Sequence, residues 1–268
     1  MIAAPKPLVA FPPAERRRVR CVLTDIDDTL TTEGRLTASA FTAMERLARG
    51  GIAVVPVTGR PAGWCDMIAR QWPVAGVVGE NGAFHFRYDP AARRFLRGFW
   101  VPEERRRADH ERLWVIARRI LAEVPGTAIA SDQQYRAADI AVDWCEDVPA
   151  LPDSEVRRIV AIAEAAGATA KVSSIHVNIW FGDFSKLAMT RRFTPAALGL
   201  DVDADRDAFV FVGDSPNDQT MFGHFPNAVG VANVLRFADQ LTAPPAYVAT
   251  QEGGDGFAEV ADALLAAR

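Results

Sequence analysis

The apolar run Cys21-Val22-Leu23-Thr24 leads directly into Asp25-Ile26-Asp27-Asp28-Thr29. The run is long enough for a buried central strand. Three carboxylates crowded at its end are costly, because like charges repel and burial penalises each one. A chain tolerates that when a cation, or a phosphate with its cation, sits among them. In an open α/β sheet, ligands bind outside the carboxyl ends of the strands. The stretch therefore points to a metal-assisted site at the edge of a parallel sheet.

The rest of the chain has the rhythm such a sheet needs. A helix is expected over 38–49, with Thr37 as its cap and Gly50-Gly51 as its stop. The strand 52–57 follows and contains Pro56, which predicts a local distortion or one lost ladder bond there. A helix near 63–71 leads to the strand 74–78 and then Gly79-Glu80-Asn81-Gly82. Strand and helix in alternation predict parallel pairing with right-handed crossovers. After Gly82 the texture changes. A hairpin around Asp89-Pro90, helices over 102–123 and 154–166 and several short strands suggest a compact α+β module. The alternation resumes near residue 185 and includes the strand Ala208–Val212, which ends at Gly213-Asp214. The expected architecture is α/β, a Rossmann-like doubly wound parallel sheet over 1–82 and 182–268. An α+β cap is inserted over 83–181.

Bulk properties exclude several classes. The 268 residues are 49% hydrophobic and 24% charged, ordinary for a globular chain. The net charge of −4, without a large single-sign block, argues against a nucleic-acid partner. The clusters Arg16-Arg17-Arg18 and Arg105-Arg106-Arg107 read as solvated faces. Cys21, Cys65 and Cys145 are widely spaced, so neither a disulfide framework nor a structural zinc site is expected. No apolar run approaches the roughly 20 residues of a membrane helix. The N-terminal stretch is proline-rich and has no apolar signal core, so the expected location is the cytoplasm. Oligomeric state is not legible.

Three further polar clusters stand at element ends: Thr58-Gly59-Arg60, Lys186, and Gly213-Asp214-Ser215-Pro216-Asn217-Asp218. Each has an ordinary reading by itself, as a turn, a solvated lysine or a helix-capping loop. Three predicted parallel strands ending in polar groups at one sheet edge make a shared site the better reading. These residue types suit phosphoryl transfer through an aspartyl-phosphate. A carboxylate is a competent nucleophile for phosphorus, but it needs a cation to approach an anionic phosphate. Mg²⁺ suits oxygen ligands and retains water and substrate phosphate in its shell. Asp25 and Asp214 can supply ligating carboxylates. Asp27 can protonate the leaving alcohol and then activate water. Thr58 can donate to a phosphate oxygen, and Lys186 can offset negative charge.

In this order, Asp25–Thr29 (DxDxT), Thr58, Lys186 and Gly213–Asp218 (GDxxxD) resemble the motifs of the haloacid dehalogenase-like hydrolases. The position of the insertion and the Gly-Asp-Ser-x-Asn-Asp form resemble the class IIB capped phosphatases, which include sugar-phosphate phosphatases and phosphomannomutase-like relatives. The resemblance spans nearly the whole chain. It implies Asp25 as nucleophile and Asp27 as general acid and base. It implies Mg²⁺ held by Asp25, the Asp27 carbonyl and Asp214, with Asp218 nearby. Thr58 and Lys186 would bind the phosphoryl group, and Asn217 would orient its own loop or Lys186. Asp27 argues against dehalogenase activity. Asp28 departs from the pattern, since Gly is common there.

Substrate contacts are expected from Arg60 and Asn81 at strand ends, and from His176 and Asn178, which alternate on one face of a predicted cap strand. The polar run Gln133-Gln134-Tyr135-Arg136 is a further candidate for an anionic or hydroxyl-rich ligand. Trp100, Trp114, Trp144 and Trp180 read as cap core rather than a sugar platform. His85, His110 and His224 show no metal-ligand spacing. The expected activity is Mg²⁺-dependent hydrolysis of a small phosphorylated metabolite, a sugar or polyol phosphate, with no nucleic acid or membrane as partner. A phosphomutase and a non-catalytic binding protein on the same fold remain as alternatives.

Overall fold

The computed structural model describes residues 4–268. Six parallel strands form the central sheet, in the order Lys6–Pro7, Tyr247–Val248, Val229–Gly230, Phe209–Gly213, Cys21–Thr24, Ala53–Pro56. Cys21 pairs with Phe209 on one side and Ala53 on the other, which brings the ends of these three central strands level. Successive strand residues point to opposite faces. Val22, Val54, Val210 and Val212 accordingly enter one core, with the helices Ala38–Arg49, Ala62–Gln71 and Gly253–Leu265. Cys21, Leu23, Val55, Phe209 and Phe211 enter the other, with Lys186–Leu198 and Gln219–His224. The sheet is therefore doubly wound, as its all-apolar central strands require.

Pro56 acts as its chemistry predicts. Ala75 N–H donates to Val54 O at 2.8 Å and Thr58 N–H to Val78 O at 2.9 Å, on either side of Pro56, which has no N–H. The strand Val77–Gly79 thus joins the sheet only through the Val57–Val78 bridge.

The helix Ala38–Arg49 starts where Thr37 Oγ1 accepts Ala40 N–H at 3.1 Å. The helix that follows the cap, Lys186–Leu198, runs on through Pro195. Gly199, at φ +63°, ends it. The N-terminal edge strand Lys6–Pro7 and the small hairpin Thr31–Thr32 with Arg35–Leu36 carry too few residues to leave a sequence pattern.

A second sheet, antiparallel, orders Thr169–Val172, His176–Trp180, Ile140–Asp143 and Ala128–Ile129. Ile140, Val142, Val177 and Ile179 face the helices Glu103–Glu123 and Asp153–Ala165 and form a third core. The alternate residues of the middle strand, His176, Asn178 and Trp180, face the other way. This is the α+β cap. One expected member lies elsewhere. The hairpin Phe84–Asp89 with Arg94–Phe99 pairs with Val77–Gly79, and Phe84 and Phe86 join the Val22 core. The hairpin thus packs with the parallel core although it lies beyond residue 83. Trp180 likewise packs in the Val22 core, stacked on Phe184 at 5.3 Å. Trp100 packs against both cores of the parallel sheet, while Trp114 and Trp144 pack against the cap core.

No helix among the described residues is long and apolar enough to cross a membrane. Phe84 is fully buried and stacks on Phe86 at 4.4 Å. Phe84→Ala should lower the unfolding free energy by about 3–5 kcal/mol, read from a denaturant titration.

Candidate active site

The Asp25, Thr58 and Asp214 backbones leave the sheet at its carboxyl edge. Asp25 N–H still bonds Val212 O at 2.9 Å, so the first acid is fixed by the ladder itself. Its Oδ1 accepts Ile26 N–H at 2.9 Å, and its Oδ2 lies 3.0 Å from Lys186 Nζ. Lys186 also donates to Asp218 Oδ1 at 2.8 Å. The other Asp218 oxygen accepts Asp214 N–H at 3.1 Å, so Asp218 aligns both the lysine and the Asp214 loop. Thr29 Oγ1 donates to Asp214 Oδ1 at 3.3 Å. One ligand oxygen from each of Asp25, Asp214 and Asp218 fits within a 4.8 Å group, and all three residues are buried.

One ammonium against three carboxylates leaves two negative charges uncompensated in a buried site. Burial, with Asp218 and Asp27 nearby, pushes the Asp25 carboxyl up to about 7 against the pull of Lys186. Burial, with Asp218, Asp25 and Asp28 nearby, pushes Asp214 well above the ordinary range. Burial by itself would lower Lys186, but Asp218 and Asp25 hold its ammonium above its usual value. Hard carboxylate oxygens with surplus negative charge fit a divalent cation such as Mg²⁺.

Two glycines make this packing possible. A Cβ on Gly213 would collide with the Asp218 carboxylate, so that carboxylate can lie against the strand end only when residue 213 is glycine. Gly82, at φ +109°, passes so close to the start of the lysine helix that a Cβ would collide with the Ser185 carbonyl. Ser185 in turn caps that helix by accepting Ala188 N–H at 3.1 Å.

A small pocket above Asp25 is lined by Asp27, Gly59, Arg60, Asp214, Ser215 and Asn217 from the core, and by Arg136, Ser173, Ser174, Ile175, His176 and Asn178 from the cap. With the cap seated it encloses about 10 Å³, space for about one water. A larger cleft of about 530 Å³ adjoins it at Ser173, Ser174, Asp214 and Ser215. Trp144, Val156 and Arg157 line its cap side, and Asp28, Asn233, Arg236 and Phe237 its core side.

The expected site residues do not all stand alike. Lys186 and Thr58 lie behind the pocket wall. Thr58 Oγ1 accepts Arg60 N–H at 3.0 Å and retains its own O–H for a further bond. Asn81 also lies behind the wall, against Gly59. It occupies a turn at φ +55°, its N–H donating to Thr58 O at 3.0 Å, and its buried Nδ2 has no partner. Asn217 Oδ1 accepts Ser215 Oγ–H at 3.0 Å, so it braces its own loop rather than Lys186. Asn178 donates to Asp139 Oδ2 at 3.0 Å. Asp28 sits at φ +54°, which explains why Gly suits this position. Its N–H donates to Thr31 Oγ1 at 3.0 Å, and its carbonyl accepts Asn233 Nδ2 at 2.9 Å.

Of the run 133–136, Gln133 and Arg136 turn inward. Gln133 Nε2 donates to Asp139 O at 3.0 Å, and its Oε1 accepts Ala141 N–H at 2.9 Å. Both ends of the amide are thus spent inside the cap. Arg136 bonds Asp132 and Asp139 at 3.0 Å and the Gly59 carbonyl at 3.0 Å. Gln134 and Tyr135 are exposed.

Glu80 and Glu146 carried no sequence signal. Buried Glu80 accepts four backbone N–H groups, from Ala62 at 3.0 Å and from Ala137, Ala138 and Asp139 at 2.8, 2.7 and 3.1 Å. It thereby caps a core helix and clamps the cap loop together. Burial and Asp139 push its carboxyl up to about 8, while Arg136 and the N–H donors pull toward the ionised form. Arg60 Nη2 lies 2.7 Å from Asp27 Oδ1 and 3.2 Å from Glu146 Oε1 of the cap. Its guanidinium stands over the Trp64 ring at 4.5 Å. Glu146 Oε2 lies 2.8 Å from His176 Nε2, a close polar contact rather than an aligned hydrogen bond. The His176 contact, reinforced by Arg60, holds the Glu146 carboxyl down at about 2 despite partial burial.

The doubly wound core thus carries an acidic site at its strand ends, with the cap seated over it. Residues 22–92 match the family model of the haloacid dehalogenase-like hydrolases. In structure the chain is similar to a Thermoplasma acidophilum protein at 18% identity and TM-score 0.70, over 90% of this chain and 96% of that one. It is also similar to the sucrose-phosphatase of Synechocystis sp. PCC6803, solved with sucrose and phosphate. There the identity is 17% and the TM-score 0.62, over 91% and 96% of the two chains. A subclass IIB sugar phosphatase aligns at 14% identity and TM-score 0.59, over 86% and 93%. Comparison with curated protein sequences returns no significant match.

Gly213→Ala should displace Asp218 and weaken binding of a divalent cation by about 10–100-fold. Calorimetric titration measures the loss, and circular dichroism should show the fold retained.

Proposed function

We propose that this chain is a Mg²⁺-dependent phosphomonoesterase working through an aspartyl-phosphate. The observation that carries the reading is the buried group of Asp25, Asp214 and Asp218, countered by Lys186 alone among the described residues. Such a group is costly without a cation and a phosphate to organise. Asp25, Asp214 and the Asp27 carbonyl would hold the ion, with Asp218 behind them. The ion would supply charge neutralisation between nucleophile and phosphate.

Asp25 Oδ attacks phosphorus while the bond from phosphorus to the leaving oxygen breaks, and Asp27 gives that oxygen its proton. Water then attacks phosphorus, Asp27 takes the water's proton, and the bond to Asp25 breaks to release inorganic phosphate. Lys186 steadies the charge on Asp25 and the phosphoryl oxygens. The Thr58 hydroxyl binds a phosphoryl oxygen. The pocket is too small for a phosphate ester with the cap seated, so the cap lifts for entry and closes for chemistry.

A sugar or polyol phosphate is the substrate class this reading favours. The sugar phosphatases among its structural neighbours support it, as does the roomy cleft beside the phosphoryl pocket. Trp144 and Phe237 in that cleft offer apolar surface to a sugar face, and Ser174, Asn233 and Arg236 offer polar groups to its hydroxyls. Asp25→Asn should abolish phosphate release from a panel of sugar phosphates, and chelation of divalent ions should do the same until Mg²⁺ is restored. Full turnover by Asp25→Asn defeats the mechanism. Isomerisation without net phosphate release would make the protein a mutase. Asp27→Asn should lower kcat by about 10²–10⁴-fold, read by steady-state kinetics.

A further inference from the structure

Arg60 belongs to the core, yet two of the three carboxylates around it belong to the cap. Its side chain is 6% exposed. Nε lies 2.9 Å from Asp27 Oδ1 and 3.1 Å from Oδ2. Nη1 and Nη2 each lie 3.2 Å from Glu146 Oε1, and Nη1 lies 3.7 Å from Asp132 Oδ2. A guanidinium is a rigid plane, so its two edges cannot be aimed independently. Whatever sets the edge facing Glu146 also sets the edge facing Asp27.

Glu146 is itself held on the cap. Its N–H donates to Asp143 Oδ1 at 2.8 Å, and its Oε2 rests against His176. When the cap lifts, Glu146, Asp132 and His176 leave with it, while Arg60 and Asp27 stay. The guanidinium then keeps Asp27 and the Trp64 ring but loses both cap carboxylates that hold its opposite edge. Asp27 loses a fixed orientation at the same moment.

We propose that Arg60 and Glu146 are positioning residues that aim the Asp27 carboxyl only while the cap is seated, so that proton delivery to the leaving group is coupled to closure. This rests on the reading of Asp27 as acid and base. Arg60 holds Oδ1 more closely than Oδ2, which leaves Oδ2 the freer oxygen to carry the transferred proton. In the open state a misaimed Asp27 leaves the departing alkoxide without a proton, and the phosphorus–oxygen bond of an alkyl ester does not break. An aryl oxide departs without that help, so aryl esters should be indifferent to the coupling.

The test compares kcat/KM for a hexose phosphate and for p-nitrophenyl phosphate, since kcat/KM reports events up to formation of the aspartyl-phosphate. Glu146→Ala should lower the value for the hexose phosphate by roughly 10–100-fold and that for the aryl phosphate by less than about 3-fold. Glu146→Gln, of the same size, should recover part of the loss. On an Asp27→Asn background, Glu146→Ala should cost the hexose phosphate nothing more, because the two act as one unit. An equal fall on both substrates overturns the proposal, as does an undiminished rate on the hexose phosphate or an additive loss in the double variant. If Glu146→Ala does not fold, Glu146→Gln alone must show the same substrate-selective loss. Wild-type protein that hydrolyses neither ester defeats the phosphatase reading itself, a result distinct from any pattern among the variants.

Discussion

The structure depends on how buried negative charge is held at one edge of the parallel sheet. Asp25, Asp214 and Asp218 face one ammonium, from Lys186. Everything near the site serves to keep that arrangement in register. The ladder fixes the Asp25 backbone through Val212, Gly213 gives the Asp218 carboxylate a place against the strand end, and Gly82 lets the lysine helix approach. The apolar alternation of Val22 and Leu23, and of Val210 and Phe211, anchors the strands to both flanking cores. The carboxylates are therefore mounted at the ends of strands packed into both cores, where repulsion among them is resisted by the packing. That is the condition under which a bound cation gains most.

A second set of buried charges joins core and cap. Glu80 gathers N–H groups from a core helix and from the cap loop 137–139. Arg136 bonds both cap carboxylates and the Gly59 carbonyl of the core. An isolated buried charge is costly, and a wrongly seated cap would leave several of them unpaired. The network therefore acts as a register for the cap. Arg60 belongs to the same logic, except that its core partner, Asp27, stands in the active site.

Much of this is legible in the sequence wherever a pattern repeats locally. The helix Ala38–Arg49 follows from Thr37, its apolar stripe and its glycine stop. The strand before Asp25 follows from its apolar run, and the weak junction at Pro56 follows from a missing N–H. The hairpin at 84–99 reads as part of the cap because its texture is antiparallel, but its phenylalanines pack into the Val22 core. Strand pairing is visible in alternation, whereas the surface it is pressed against is not. Arg60, Asn81 and Arg136 read as ligand contacts because they are polar residues at element ends. Both Arg60 and Arg136 line the pocket, and their guanidinium groups are also held by Asp27, Glu146, Asp132 and Asp139, a choice of partners that residue type does not reveal. Glu80 and Glu146 carry no signal because their partners are backbone groups or side chains up to 86 positions away.

The sequence by itself determined the strand-end acids, the order of the four polar clusters, and the alternation of strand and helix that sets them on one sheet edge. Those are consequences of residue type and short-range spacing. Only the tertiary structure decided which acid meets Lys186, which cation holds Asp27, and how far the seated cap closes the pocket. These depend on distances between elements remote in the chain, and the competition of buried charges for partners is settled only when the cores have packed.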